Sequence, residues 1–329
     1  MIEKDNRTAC QKENDDLIRE QKESGKKPKD PKSIGINIFD IFTKYPDERA
    51  VIEEFIARKY PHGVYCSHCG SIEVVQRKKT PKKFQCNACN NSFSVFTSTV
   101  FHHTKVDMRK WVYALHFMIN GKKGVSACQL HRGIGGSYKT AWRMMHEIRN
   151  AMGNTVDREE FEAIIEVDET YVGGKPRKGD GKVHKRGRGT NKTPVVGVLG
   201  RDDKKVYAKV AHPNKEGKKL TGKQLLAIIE EVAAKSAKIH TDEFRSYRIL
   251  GKNGYDHSIV NHAAGQYVKG NIHVNTVESF WAILKRGIIG SFHHVSVQYL
   301  QAYVNEFCWR YNNRFNEENF EDLLDRCVA

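Results

Sequence analysis

The stretch AIIEVDETYVGG, residues 163–174, decides the fold class, because its apolar run is typical of a buried β-strand and ends at the acid Asp168. Further β-type segments follow at 194–201, 205–211, 238–244 and 257–261, and helical segments at 223–237, 277–288 and 299–314. Three neighbouring strands, then a helix, a strand and further helices form an α/β order. We therefore predict a mixed sheet flanked by helices over residues 156–329.

Two acids, Asp168 and Asp242, each end an apolar strand segment. A carboxylate there is costly unless it is paired, solvated or bound to a cation, so the pair predicts an oxygen-rich cleft suited to Mg²⁺. Glu278 could add a third carboxylate from a helix, with Asn275 one turn earlier and Lys285 two turns later on the same face. Solvated turn acids explain the same spacing, so both interpretations stay open.

Three carboxylates that hold two Mg²⁺ or Mn²⁺ ions would suit phosphoryl transfer. One ion lowers the pKa of an attacking water or 3′-hydroxyl, and the other stabilises the leaving oxygen. Lys285 would meet a substrate phosphate as a point charge. Trp281 and Trp309, at helical spacing among apolar residues, are predicted to pack in the core.

Four cysteines form two CxxC pairs, Cys66 with Cys69 and Cys86 with Cys89. The gap between the pairs is typical of a site in which four thiolates bind one structural Zn²⁺. A pair of disulfides and a redox CxxC are the alternatives, but no secretion signal supports the first and a doubled motif argues against the second. We predict a zinc ribbon over residues 61–103.

Residues 104–155 have helical periodicity, interrupted by a glycine-rich turn between the candidate N-caps Ser126 and Ser137. This order of helix, turn and helix is typical of a helix-turn-helix motif, whose second helix contacts DNA bases. The side chains that such a helix would present are Tyr138, Lys139 and Arg143. A plain helical hairpin packed against its neighbour has the same spacing.

The amino-terminal part of the chain divides at about residue 35. Residues 1–35 are charged with few apolar anchors and predict a mobile tail, whereas residues 36–60 predict helices, the second capped by Asp47. The first ten residues carry charge where a signal peptide would be apolar, and no apolar run approaches the roughly 18 residues that span a bilayer. Secretion and membrane insertion are therefore disfavoured.

The charge balance indicates a polyanionic partner. The 329 residues include 55 Lys and Arg against 39 Asp and Glu, a formal net charge of +16. Hydrophobic residues at 39% exclude a fully disordered chain. A surplus of this size suggests nucleic acid, but it does not separate a DNA-binding protein from an enzyme.

Much of the positive charge lies in the loop between the first two predicted core strands. Its basic residues are Lys175, Arg177, Lys178, Lys182, Lys185, Arg186, Arg188 and Lys192. As a hypothesis, this loop clamps DNA phosphates beside Asp168. A solvated, flexible loop is the alternative.

Four long strings carry a family resemblance. They are VDETYVGGK (167–175), HTDEFRSY (240–247), HVNTVESFWAILKRGIIGSFHHVS (273–296) and YLQAYVNEFCWRYNN (299–313). Together they resemble the transposases of the IS1595 group, the ISXO2-like family, which is related to IS1016 elements and eukaryotic Merlin transposases. The ribbon and the helical segment occur in the same order in that family, and the resemblance covers about residues 40–315.

The resemblance implies a DDE recombinase with an RNase H-like catalytic core. By motif, Asp168, Asp242 and Glu278 are its three catalytic acids and Mg²⁺ ligands, and Lys285 matches the basic residue that follows the third acid. The family varies at the third acid, so Asn275 is the alternative ligand. We favour Glu278, since a carboxylate binds Mg²⁺ more strongly than an amide does.

The implied function is cut-and-paste transposition. The ribbon and helix-turn-helix would bind terminal inverted repeats in double-stranded DNA, and the core would hydrolyse 3′ ends and join them to target DNA. Pairing two ends implies a homo-oligomer, at least a dimer. The location would be the cytoplasm or nucleoid of a bacterium, or the nucleus of a eukaryote. The alternatives are a non-enzymatic DNA-binding regulator derived from a transposase and an RNase H-like nuclease without strand transfer.

Overall fold

The computed structural model describes residues 36–153, 161–174, 192–213, 220–260 and 272–329. The predicted tail at 1–35 lies outside these ranges. Within them, no helix combines the length and apolar composition that crossing a lipid bilayer requires.

Two short helices begin the described chain, α1 (Ile38–Lys44) and α2 (Glu48–Lys59). The predicted cap of α2 is confirmed, because Asp47 Oδ1 accepts a hydrogen bond from the Ala50 amide at 2.8 Å. A three-stranded antiparallel sheet follows, made of β1 (Val74–Gln76), β2 (Lys83–Cys86) and β3 (Ser92–Ser94). These strands form the body of the predicted ribbon.

Three helices follow the ribbon: α3 (Met108–Asn120), α4 (Ala127–Ile134) and α5 (Tyr138–Gly153). Ser126 Oγ accepts from the Gln129 amide at 3.1 Å and Ser137 Oγ from the Thr140 amide at 3.2 Å, so both predicted caps are confirmed. Gly135 joins α4 to α5 at φ 68°, a left-handed conformation that side chains disfavour. The turn between the helices therefore depends on glycine.

A five-stranded mixed sheet forms the core of the second half. Its strands are β4 (Ile164–Val172), β5 (Thr193–Gly200), β6 (Lys205–Val210), β7 (Lys238–Thr241) and β8 (Asp256–Ile259). Their order is β6-β5-β4-β7-β8, with β4 antiparallel to β5 and parallel to β7. The predicted RNase H-like mixed sheet is confirmed.

The stretch 163–174 forms a strand as predicted, but the expectation that Asp168 ends its strand is wrong. The ladder with β5 pairs Asp168 with Gly197 and continues to Val172 opposite Thr193. Thr170, Tyr171 and Val172 are β-branched or aromatic residues that favour strand structure, so β4 extends past the acid. Asp168 therefore lies within the strand, and only Asp242 follows the end of one.

Helices cover both faces of this sheet. They are α6 (Gly222–Ile229), α7 (Ile249–Lys252), α8 (Asn275–Gly287) and α9 (Val297–Asn312), with a 3₁₀ turn at Arg245–Arg248 and a π-helical turn at Ile288–Phe292. Residues of α8 and α9 pack with Val195 and Leu199 of β5. Residues of α6 and the 3₁₀ turn pack with Ile165 and Val167 of β4.

Helix α6 is shorter than the predicted 223–237. The Phe161 amide donates to the carbonyl of Val232 at 2.6 Å, and the Ala234 amide donates to the carbonyl of Phe161 at 3.0 Å. These backbone bonds replace the i to i−4 bonds that would extend the helix. A tertiary pairing thus ends α6 at Ile229.

The last helix, α10 (Asn319–Val328), returns to the amino-terminal part of the chain. Its buried Phe320 and Leu324 belong to the same hydrophobic cluster as Phe55 of α2. Arg58 of α2 forms ion pairs with Glu321 and Asp325 of α10. The end of the predicted 156–329 region therefore packs against the helices that precede the ribbon.

Candidate active site

Asp168 lies at the centre of the candidate active site, on the face of the sheet that α8 covers. Because strand side chains alternate, Asp168 shares this face with Glu166, which hydrogen-bonds to the start of α8. The indole Nε1 of Trp281, also on α8, donates to Asp168 Oδ2 at 3.1 Å. Helix α8 is thus bonded to β4 at two points.

Asp242 comes directly after β7, the parallel neighbour of β4. The ladder pairs Ile165 with Ile239 and Glu166 with His240, and the same register continued by two residues sets Asp242 opposite Asp168. Asp242 Oδ1 accepts a hydrogen bond from the Phe244 amide at 2.9 Å, which shapes the turn.

Glu278 approaches from the first turn of α8 and is exposed. The three acids lie in one electrostatic environment: burial, together with the charges of Glu169, Asp242 and Glu278, raises the pKa of Asp168 to about 8. Asp242 and Glu278 thus lie near enough to Asp168 to influence its charge, and their assignment as one metal site stays a prediction. An all-oxygen set with unfavourable negative charge fits a hard divalent cation such as Mg²⁺.

Asn275 and Lys285 lie on the same helix as Glu278. Asn275 is the first residue of α8, and Lys285 is in its last turn; both are exposed. Asn275 is thus placed one turn before Glu278, and Lys285 two turns after it, as the spacing predicts.

Four cysteines form a second candidate site, in the ribbon. The Sγ atoms of Cys66 and Cys89 lie 3.7 Å apart, and those of Cys69 and Cys86 lie 3.6 Å apart. Tetrahedral zinc with bonds of about 2.3 Å separates its sulfurs by about 3.8 Å, whereas a disulfide bond is about 2.05 Å long. The four free thiols fit a zinc ribbon and exclude the disulfide alternative.

The two cysteine knuckles have the same backbone design. The Cys66 amide donates to the carbonyl of Ser71, and the Cys86 amide donates to the carbonyl of Asn91. Gly70 at φ 74° and Asn90 at φ 55° follow the second cysteine of each pair. Glycine and asparagine tolerate this left-handed conformation best, so the local sequence sets the positions of the sulfurs.

The predicted DNA-reading residues lie at the start of α5. Tyr138, Lys139 and Arg143 are all exposed, and Arg143 makes a long contact of 3.9 Å with Glu147. Six further candidates, Lys175, Arg177, Lys178, Lys185, Arg186 and Arg188, lie outside the described residues. The clamp hypothesis for their loop stays a prediction.

Two family models match this chain. Residues 161–312 match the model of the ISXO2-like transposase domain, and residues 46–92 match the model of the transposase zinc-ribbon domain. A protein in transposable element ISH50 of Halobacterium salinarum is 30% identical over 273 residues, which cover 80% of this chain and 90% of that protein. The chain belongs to the ISXO2-like transposase family.

Two solved structures are also similar to this transposase. One is the crystal structure of a pre-cleavage Mos1 transpososome, at 12% identity and a TM-score of 0.28 over 65% of this chain and 77% of the other. The second is a Mos1 transposase paired-end complex with the left transposon end, at 12% identity and a TM-score of 0.26 over 66% and 78%. Overlap this slight assigns no role to any residue.

Three hydrogen-bonded contacts around the acids of this transposase are not predicted by the sequence. Trp281 packs in the core as predicted, but it also bonds to Asp168. Glu169 accepts a hydrogen bond at 2.9 Å from the hydroxyl of the fully buried Tyr247, which ties β4 to the 3₁₀ turn after Asp242. Glu166 binds the start of α8. The sequence feature that could have indicated the Glu166 contact is its position two residues before Asp168.

Proposed function

We propose that this transposase binds the terminal inverted repeats of its element, hydrolyses their 3′ ends and joins them to target DNA with Mg²⁺ or Mn²⁺. The observation that carries the proposal is the match of residues 161–312 to the ISXO2-like transposase domain, and the influence of Asp242 and Glu278 on the pKa of Asp168 within that domain supports it. Pairing two element ends calls for at least two copies of the chain. The expected location is the cytoplasm or nucleoid of a bacterium, or the nucleus of a eukaryote.

The three acids would hold the two metal ions of the reaction. When bound, such ions supply an activated water or 3′-hydroxyl and neutralise charge at the leaving oxygen. Trp281 orients one carboxylate oxygen of Asp168 through its indole N–H. Lys285, further along α8, would bind a DNA phosphate.

DNA binding is proposed for the helix-turn-helix and the ribbon. Tyr138, Lys139 and Arg143 project from the first turns of α5, where a recognition helix meets the major groove. Replacing Lys139 and Arg143 with alanine should weaken binding to element ends. The slope of affinity against salt should fall by about one for each phosphate that the variant no longer neutralises.

The decisive experiment incubates the purified chain with labelled element ends, target DNA and Mg²⁺. We expect cleavage and joining by the wild type, and neither reaction by Asp168→Asn, Asp242→Asn or Glu278→Gln, which should still bind the ends. Asp202→Asn, in the exposed β5–β6 turn, is the matched control and should stay active. Binding without cleavage by the wild type would favour the regulator, and cleavage without joining would favour the nuclease.

The same assay decides the third metal ligand. We expect Asn275→Ala to retain activity that Glu278→Gln loses. The reverse result would assign the third position to Asn275.

A further inference from the structure

The carboxylate of Glu166 lies between strand β4 and the first turn of α8 and is fully buried. Its Oε2 accepts hydrogen bonds from the amides of Thr276 at 2.8 Å and Val277 at 3.0 Å. Its Oε1 accepts one from Thr276 Oγ1 at 2.8 Å. One side chain of the strand thus binds three donors at the start of the helix.

Two further side chains complete the surroundings of this carboxylate. Arg201 donates from Nε to Glu166 Oε1 at 2.6 Å and from its Nη2 to the carbonyl of His273 at 2.7 Å. The Nδ1 atom of His273 lies 3.2 Å from the same Oε1. Arg201 therefore balances the buried charge and also holds the segment that leads into α8.

Helix α8 has no side-chain N-cap from its own segment of the chain. Its N-cap residue is Val274, which has no side-chain oxygen to accept from the first amides. The first amides of a helix need an acceptor, and a negative charge there is also favoured by the helix dipole. Glu166 supplies both from a different element.

We propose that Glu166 is a positioning residue that sets the distance between Asp168 and Glu278 and so tunes divalent-cation binding. This inference rests on the proposed function. Glu166 lies two residues before Asp168 on the same face of β4, and it bonds to Val277, which directly precedes Glu278. One rigid carboxylate thus joins the strand of the first acid to the helix of the third.

The principal test is Glu166→Gln, which keeps the shape of the side chain but replaces an accepting oxygen with an NH₂ group. Mn²⁺ binding to the DNA-free chain is followed by electron paramagnetic resonance of the free ion. Cleavage of labelled ends is measured against Mg²⁺ concentration. We expect Mn²⁺ affinity and saturated cleavage rate each to fall about 10- to 100-fold, with binding to element ends unchanged.

Glu306→Gln is the matched control, because it also breaks a buried Arg–Glu pair, here with Arg149 at 2.6 Å. It should lower the melting temperature without changing Mn²⁺ affinity. If Glu166→Gln fails to fold, Thr276→Val removes only the Oγ1 bond and should weaken Mn²⁺ binding several-fold. Thr276→Ser keeps that hydroxyl and should restore the wild-type affinity.

The outcomes separate this inference from the proposed function. Wild-type Mn²⁺ affinity and Mg²⁺ dependence in both Glu166→Gln and Thr276→Val, even with a lower melting temperature, would overturn the positioning role. A wild type that binds Mn²⁺ but cuts no DNA would defeat the proposed function, while the Mn²⁺ comparison would still decide the role of Glu166. A wild type that binds no Mn²⁺ would overturn both.

Discussion

The indole N–H of Trp281 donates a hydrogen bond to Oδ2 of Asp168 at 3.1 Å. Trp281 lies one turn after Glu278 on α8, so the helix that carries the third acid directly contacts the first. The ring of Trp281 also lies against Gly197 of β5, the residue paired with Asp168. Through Trp281, helix α8 therefore contacts both β4 and β5 at the candidate active site.

Trp281→Phe should slow cleavage of element ends roughly tenfold, because a hydrogen bond to a carboxylate is worth about 1.5–3 kcal/mol and the ring packing is largely kept. The rate of 3′-end cleavage at saturating Mg²⁺ measures this. Trp309→Phe is the control: Trp309 is also buried, but its Nε1 has no hydrogen-bond partner within the described residues. Equal rates for the two variants would contradict the assigned role of the indole.

Gly197→Ala should destabilise the core by about 1–3 kcal/mol and slow cleavage, because a Cβ there would lie 2.6 Å from the ring of Trp281. Thermal unfolding followed by circular dichroism gives the loss. Gly251→Ala in α7 is the control, since nothing lies within 4 Å of its Cβ position and alanine favours a helix. An unchanged melting temperature in Gly197→Ala would mean that the ring can shift at no cost.

Cys69→Ser should abolish binding of one equivalent of zinc and unfold the ribbon, because the small three-stranded sheet depends on its metal for stability. Zinc content by atomic absorption and loss of structure on adding a chelator both measure this. Cys128→Ser, at an exposed cysteine outside the cluster, should keep the full zinc content. A zinc-free wild type that resists the chelator would argue against a structural metal.

Glu306→Gln should lower the free energy of unfolding by about 3–5 kcal/mol, because it leaves the buried guanidinium groups of Arg149 and Arg310 without a counter-charge. Burial already lowers the pKa of Arg149 to about 10. Urea denaturation gives the change. Glu53→Gln breaks an exposed pair with Arg49 and should cost less than about 0.5 kcal/mol. Similar losses in both variants would show that water reaches the Arg149–Glu306 contact.

His146 should make the protein less stable in mild acid. Burial, together with the charge of Arg149, lowers the pKa of His146 to about 4, whereas an unfolded histidine titrates near 6.5. The unfolded state therefore binds more protons between these values, and the stability present above about pH 6.5 falls as the pH approaches 4.

His146→Gln should accordingly lose less melting temperature than the wild type between about pH 7 and pH 5. Differential scanning calorimetry at the two pH values gives the comparison. His62→Gln, at an exposed histidine, should behave as the wild type does. The interpretation fails if His146→Gln and the wild type lose stability in parallel.

Local sequence predicted the features that depend on residues close together in the chain. The CxxC spacing predicted the thiol cluster, and serine and aspartate at helix starts predicted caps that the structure confirms. Acids beside apolar runs left the candidate metal site open, and the family resemblance named its three acids. The position of Asp168 at a strand end and the length of α6 were predicted wrongly, because pairing with β5 continues past Asp168 and pairing with Phe161 limits α6.

The order of residues alone was enough to predict the fold class and the cluster of four cysteines, since both follow from periodicity and spacing. The three candidate acids came from the family resemblance and stay a prediction. Only the tertiary structure decided how those acids are held. Three contacts join residues that are far apart in the sequence: Glu166 with α8, Glu169 with Tyr247, and Trp281 with Asp168. The sequence around either partner gives no indication of the other. Their hydrogen bonds form because the packing of helices on the mixed sheet brings a buried donor to a buried acceptor, and an unmatched one would be costly there.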